Sequence, residues 1–296
     1  MKQLISIMLS IFLCFTSISC SNVKKAGNSN SDKKFTVTAT FYPLYIMLMN
    51  ITQGSDTEIR MLAPGNTGCL HDYELSAKDM KILSASSVIV LNGLGMENFI
   101  DKIINIQGAE KIIAGEGFSI IDNNPHIWVS PQGAVYQVKK ITEELSRIDS
   151  RNSELYQKNA AEYSDRILQV ESLIQQELAQ KDLSNVKCIT FHEAFTYFAH
   201  QFNIKLLASI EKEPGESPSA KQMSELVKTV KNEINSGSKI LLFGEPQYPE
   251  TSAQIIARET GIKLYHLDPG VTGSLEKDAY LLAMKKNLEI LKEALN

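Results

Sequence analysis

Between Ser153 and Lys181 the chain contains no glycine or proline, and Tyr156, Ala160, Tyr163, Ile167, Val170, Ile174 and Leu178 recur at spacings of four and three. That is the apolar stripe of one amphipathic helix. At 1.5 Å per residue it spans on the order of 40 Å, more than the width of one small domain. A coiled coil is the alternative, but the stripe is brief and mixes small with aromatic residues. A long helix packed across two halves of the molecule fits better. Such a connector is stiff, so a large closure of one half on the other is not expected.

On either side, short β-branched runs alternate with helical stretches. Before the connector the expected strands are Thr36–Phe41, Glu58–Leu62, Val88–Leu91 and Lys111–Ile113. The expected helices are Tyr42–Thr52, Ser76–Ala85, Met96–Ile104 and Pro131–Ile148. After it the strands are Lys187–Phe191, Lys205–Ala208, Lys239–Phe243 and Lys263–Leu267, with helices over Ala194–Phe202, Ala220–Ile234, Ser252–Thr260 and Lys277–Leu295. Strands separated by helices build parallel sheets. The expected fold is therefore α/β: two parallel-sheet lobes, residues 35–150 and 183–296, joined by a long rigid helix over 151–182. With 296 residues, 43% of them hydrophobic, the chain can fill two cores.

The N-terminus reads as a targeting segment. Lys2 precedes an apolar stretch from Leu4 to Ile18, too short to span a bilayer but suited to a signal-peptide core. Ser19-Cys20 resembles a lipoprotein cleavage site, although Ser17 stands where Leu is usual. Residues 1–20 are thus expected to be a signal peptide, Cys20 to carry a lipid anchor, and 21–34 to form a polar tether. Ordinary secretion is the alternative. Either way the folded part is expected outside the cytoplasm, anchored to a bacterial membrane by lipid or periplasmic. A net charge of −4 and no Lys/Arg run longer than two argue against a nucleic-acid partner.

The chain has five histidines, and three stand in turn-rich or strand-end segments: His71 after Pro64–Leu70, His126 after Asn123-Asn124-Pro125, and His192 after the strand ending at Phe191. Asp268 follows the strand ending at Leu267. Strand ends are where α/β folds collect ligands, and three imidazoles with one carboxylate make a tetrahedral zinc-type shell. On spacing alone, isolated core or surface histidines remain the alternative. Glu245, after another strand end, is a candidate to hold a ligand imidazole. His266 could replace or support Asp268, although a half-buried strand histidine is the simpler reading.

Other chemistries fit less well. His192-Glu193 lacks a second histidine four residues on, and His200 lies about 12 Å further along a helix, too far to share an ion. Asn92-Gly93-Leu94-Gly95 lacks the third glycine of a dinucleotide loop, and no GxxxxGK or GxSxG occurs. Of four cysteines, Cys14 and Cys20 lie in the leader. Cys69 and Cys188 could pair or remain two thiols. Each is within four residues of a proposed ligand, so they are expected near one another beside the metal. With no CxxC spacing, a thiolate metal site is not expected.

At these residues the chain resembles the metal-binding lipoproteins of bacterial ABC importers for zinc and manganese. The likeness runs from about Phe35 to the C-terminus. It rests on Thr40–Leu44, His71–Glu74, Asn92–Glu97, Pro125–Trp128, Phe191–Phe195, Pro218–Lys221, Glu245–Gln247, Leu267–Pro269 and Asn287-Leu288 with Leu291. The resemblance implies two α/β lobes with a metal site in the cleft between them, and His71, His126, His192 and Asp268 as its ligands. It implies a monomer that binds Zn2+, is not an enzyme, and delivers the ion to an ABC permease. His192 stands where the manganese branch has Glu, which points to Zn2+, with Mn2+ the alternative. The chain departs from the pattern at Leu70, where Pro is common, at Ser130 for Asp and at Gly270 for Leu. Between Ala114 and Pro125 it has no histidine-rich loop. A zinc hydrolase and a metal-binding adhesin are the competing readings. A full shell with Asp268 would leave no water to activate. Three imidazoles, each neutral when bound, also imply release in acid.

Overall fold

The computed structural model describes residues 34–70, 73–100, 108–212 and 215–296. The leader, Cys20 and His71 lie outside them, as does most of the second half of the helix expected over Met96–Ile104. In the first lobe the strands are β1 (Thr36–Ala39), β2 (Glu58–Met61), β3 (Val88–Leu91) and β4 (Glu110–Ile113). They form a parallel sheet in the order β2-β1-β3-β4. In the second lobe β5 (Val186–Thr190), β6 (Lys205–Ser209), β7 (Lys239–Gly244) and β8 (Leu264–His266) repeat the arrangement as β6-β5-β7-β8. All pairs are again parallel. Parallel strands covered on both faces need continuous apolar runs, and β3, with sequence VIVL, is buried throughout.

The first-lobe helices are α1 (Tyr42–Ile51), α2 (Ala77–Ala85) and α3 (Pro131–Ile148). The connector is α4 (Ser153–Leu178). The second lobe adds α5 (Thr196–Gln201), α6 (Ala220–Asn235), α7 (Thr251–Thr260) and α8 (Ala279–Leu295). Local chemistry sets several ends. Ser76 and Asp79 cap α2 reciprocally, as Ser219 and Gln222 cap α6. Pro43 occupies the first turn of α1, where its missing N–H costs nothing. Gly261 ends α7 in the left-handed conformation.

Every residue of the expected stripe on α4 is buried, from Tyr156 to Leu178. One continuous core joins Val37 and Val90 of the first sheet, the α4 stripe, and Leu241 and Phe243 of the second. Lys34–Asn296 accordingly forms one compact unit.

Two helices differ from expectation. Met96–Ile100 forms turns rather than the start of a helix. The cause is Glu97, buried beneath the loop, whose carboxylate accepts the N–H groups of Asn92 (2.7 Å) and Gly93 (2.9 Å) and the Thr40 hydroxyl (2.7 Å). The glycine loop's amide donors thus serve the chain's own carboxylate, not a phosphate. The segment after His192 begins as a 3-10 turn over Glu193–Phe195 before α5 starts. There the Thr196 hydroxyl donates to the Glu193 carbonyl at 2.7 Å.

Candidate metal centre

In each sheet the strand order reverses beside the first strand of the lobe, and α/β folds bind ligands beyond the carboxyl ends of strands at such a point. In the second lobe β5 and β7 run in parallel register, with Thr190 opposite Phe243. Two residues beyond that pair stand His192 and Glu245, 0% and 2% exposed. Register therefore brings them together, and His192 Nδ1 lies 2.5 Å from Glu245 Oε1. Burial opposes charge on His192, but the Glu245 carboxylate and the Cys69 sulfur outweigh it and raise its pKa to about 10. With Nδ1 committed to Glu245, Nε2 is the atom at which a cation replaces a proton.

His126 approaches from the first lobe, at the start of the 3-10 turn Ile127–Val129, and is fully buried. Asn124 holds it: Oδ1 accepts the His126 backbone N–H at 2.9 Å and lies 2.8 Å from Nδ1. The Asn124 amide nitrogen donates across the lobes to the Glu193 carbonyl (2.7 Å) and the Thr196 hydroxyl (3.2 Å). That fixes which end of the amide is oxygen, so Nδ1 of His126 donates and Nε2 faces the centre. Trp128, on the same turn, donates its indole N–H to the Pro269 carbonyl at 3.0 Å. α3 begins hard against this turn. A Cβ on Gly133 would meet the Ile127 carbonyl oxygen at 1.9 Å, so only glycine fits there.

The two imidazoles stand edge to face, centroids 5.0 Å apart. Between them lies Cys69, its Sγ 3.5 Å from His126 Nε2 and 3.8 Å from His192 Nε2. The loop that carries it, after β2, is pinned by Tyr248 of the other lobe. The Tyr248 hydroxyl accepts the Cys69 N–H at 3.2 Å, and its ring stacks on Phe191. Gly68 makes that approach feasible: its φ is +83°, and a Cβ would meet the Tyr248 oxygen at 2.8 Å. Among the described residues, Cys69, His126 and His192 form the group able to close on a cation, with ligand atoms within 4.8 Å of one another.

The structure thus brings two of the expected ligands together and adds a thiol the spacing argument set aside. His71 lies outside the described residues. The Asp268 carboxylate stands outside the three-atom group. Its Oδ1 accepts the Gly270 N–H at 2.8 Å, and Asn287 clamps its backbone at 2.8 Å on both N–H and carbonyl. Burial raises its pKa. His266 pairs with Glu250 at 2.5 Å, and His200 is exposed on α5. Cys188 is not among the three grouped ligand residues. It faces the core from β5, unbonded, with burial pushing its pKa to about 12. Asn124 and Tyr248 carried no motif. Their only signals are their positions beside His126 and after β7.

A family model described as zinc-uptake complex component A, periplasmic (ZnuA) matches residues 37–294. The zinc-binding lipoprotein AdcA of Streptococcus pneumoniae is 26% identical over 317 residues, covering 98% of this chain but 60% of the relative. The chain therefore spans less than two thirds of AdcA. The high-affinity zinc uptake system protein ZnuA of Bacillus subtilis is 27% identical over 315 residues, covering 98% of this chain and 96% of the relative. Among solved structures, the SBP FpvC from Pseudomonas aeruginosa in complex with Mn2+ superposes with a TM-score of 0.78 at 27% identity, over 88% of this chain and 98% of that one. A crystal structure of ZnuA gives 0.75 at 27% identity, over 88% and 99%. With the doubled parallel sheet, the long connecting helix and the buried histidine pair, these matches place the chain in the ZnuA family of periplasmic zinc-uptake components.

Proposed function

We propose that the chain is an extracytoplasmic solute-binding protein that captures one Zn2+ and hands it to an ABC permease. The observation that carries this reading is the pair of fully buried imidazoles, His126 and His192, each held at Nδ1 with Nε2 turned inward. Rings oriented in this way are what a metal ligand requires. His71, two residues beyond Cys69, and Asp268 are the candidates for the remaining positions. A shell of four protein ligands leaves no open position for an activated water, so the site carries cargo rather than catalysing hydrolysis. Imidazole donors favour Zn2+ over Mn2+ in intrinsic affinity. The chain acts as a monomer held at the membrane by a lipid on Cys20. No helix among the described residues is long and apolar enough to cross a membrane. Metal analysis of protein purified from its own host without added metal tests this reading. We expect about one Zn2+ per chain, and zinc uptake that fails when either the chain or the permease is deleted. Protein loaded with Mn2+, or uptake unaffected by the deletion, would overturn it.

A further inference from the structure

We infer that Cys69 is itself a ligand of the captured metal, taking the coordination position otherwise left to Asp268. The inference rests on the metal-carrier reading and deepens it. In a tetrahedral zinc site with Zn–S near 2.3 Å and Zn–N near 2.05 Å, the sulfur-to-nitrogen edge of the tetrahedron is about 3.6 Å. The two edges here are 3.5 Å to His126 Nε2 and 3.8 Å to His192 Nε2. Both sulfur-to-nitrogen edges thus match those of a bound ion, and the ligand atoms of the three residues lie within 4.8 Å of one another. The Asp268 carboxylate is not part of that group, and its Oδ1 is already engaged by the Gly270 N–H.

Three features hold the sulfur in place. Gly68 allows the turn before it, the Tyr248 hydroxyl accepts the Cys69 N–H, and Tyr248 stands edge-on to His192 at 5.8 Å. Cys69 is also partly accessible whereas Cys188 is buried, so of the two described thiols only Cys69 can meet an incoming ion. On coordination the thiol proton leaves to solvent and a metal–sulfur bond forms. A thiolate makes the site softer than an imidazole and carboxylate set, and soft donors favour Zn2+ over Mn2+. Cys69 is therefore a specificity-determining ligand.

Cobalt substitution tests this. The metal-free mature chain is titrated with Co2+ in wild-type form and as Cys69→Ser and Cys188→Ala, with circular dichroism confirming the fold of each. We expect a near-ultraviolet sulfur-to-cobalt charge-transfer band in the wild type and in Cys188→Ala, and its loss in Cys69→Ser. In parallel, Zn2+ should shield one thiol of the wild type from alkylation. Cys69→Ser should lower Zn2+ affinity by roughly tenfold or more and Mn2+ affinity by less. Visible d–d bands without the sulfur band, or a sulfur band that survives in Cys69→Ser, would overturn the assignment while leaving the metal-carrier reading intact. No Co2+ or Zn2+ bound by the wild type would overturn both.

Discussion

Glu245 is the residue on which the metal chemistry of His192 turns. It is almost fully buried, and its carboxylate fixes both the orientation of the ring and the nitrogen left for metal. Partners of this kind cost roughly 10- to 100-fold in metal affinity when removed. We therefore expect Glu245→Ala to weaken Zn2+ binding by about that factor in a competition titration with the fold retained, and unchanged affinity would contradict the role assigned to it. Much of this was legible in the sequence. Histidines are few, and His126, His192 and Glu245 all follow turns or strand ends. Asn124 was not legible as a ligand-holding residue, because Asn123-Asn124-Pro125 already has a sufficient reading as a turn. The positive φ of Asp122 and Asn123 confirms that turn. Cys69 escaped because thiolate sites announce themselves by paired spacing, whereas here one sulfur meets two imidazoles contributed by different lobes.

At the scale of elements, buried carboxylates hold the corners. Asp149 ends α3 and leads into α4. Its carboxylate accepts from the Asn152 amide (2.7 Å), the Tyr156 hydroxyl (2.7 Å) and Arg151 Nε (3.3 Å). Tyr156 donates to Asp149, so the Thr57 hydroxyl donates to Tyr156 and ties the first sheet's edge to the connector. Burial opposes the charge on Asp149, but these donors outweigh it and lower its pKa. A carboxylate held below its unfolded value, about 3.9, contributes stability in full above that pH and loses it as pH falls through the folded value. Asp149→Asn should therefore melt lower than wild type at neutral pH, with the gap closing below about pH 4. Thermal melts across that range check this, and a gap independent of pH would contradict it. The same chemistry accompanies the departure from helix over Met96–Ile100. The buried Glu97 carboxylate draws the loop amides onto itself, and a tertiary contact of that kind has no local signature.

The molecule as a whole is built around α4. Its buried face belongs to the same core as both sheets, so moving one lobe against the other would break apolar contacts along the connector. The doubled sheet and the stiff helix were legible because strand runs and a 3.6-residue stripe are local patterns. Small-angle scattering of metal-free and zinc-loaded protein should accordingly give the same radius of gyration. A clear contraction on adding zinc would contradict the stiff connector. The central claim is that the buried imidazoles, not surface histidines, take the ion. It is tested most directly by zinc competition titrations of His192→Ala and His200→Ala beside wild type. His192→Ala should lose at least about 100-fold in affinity, since a ligand should count for no less than a residue that supports one, whereas His200→Ala should match wild type. Equal affinities for the two variants would contradict the account.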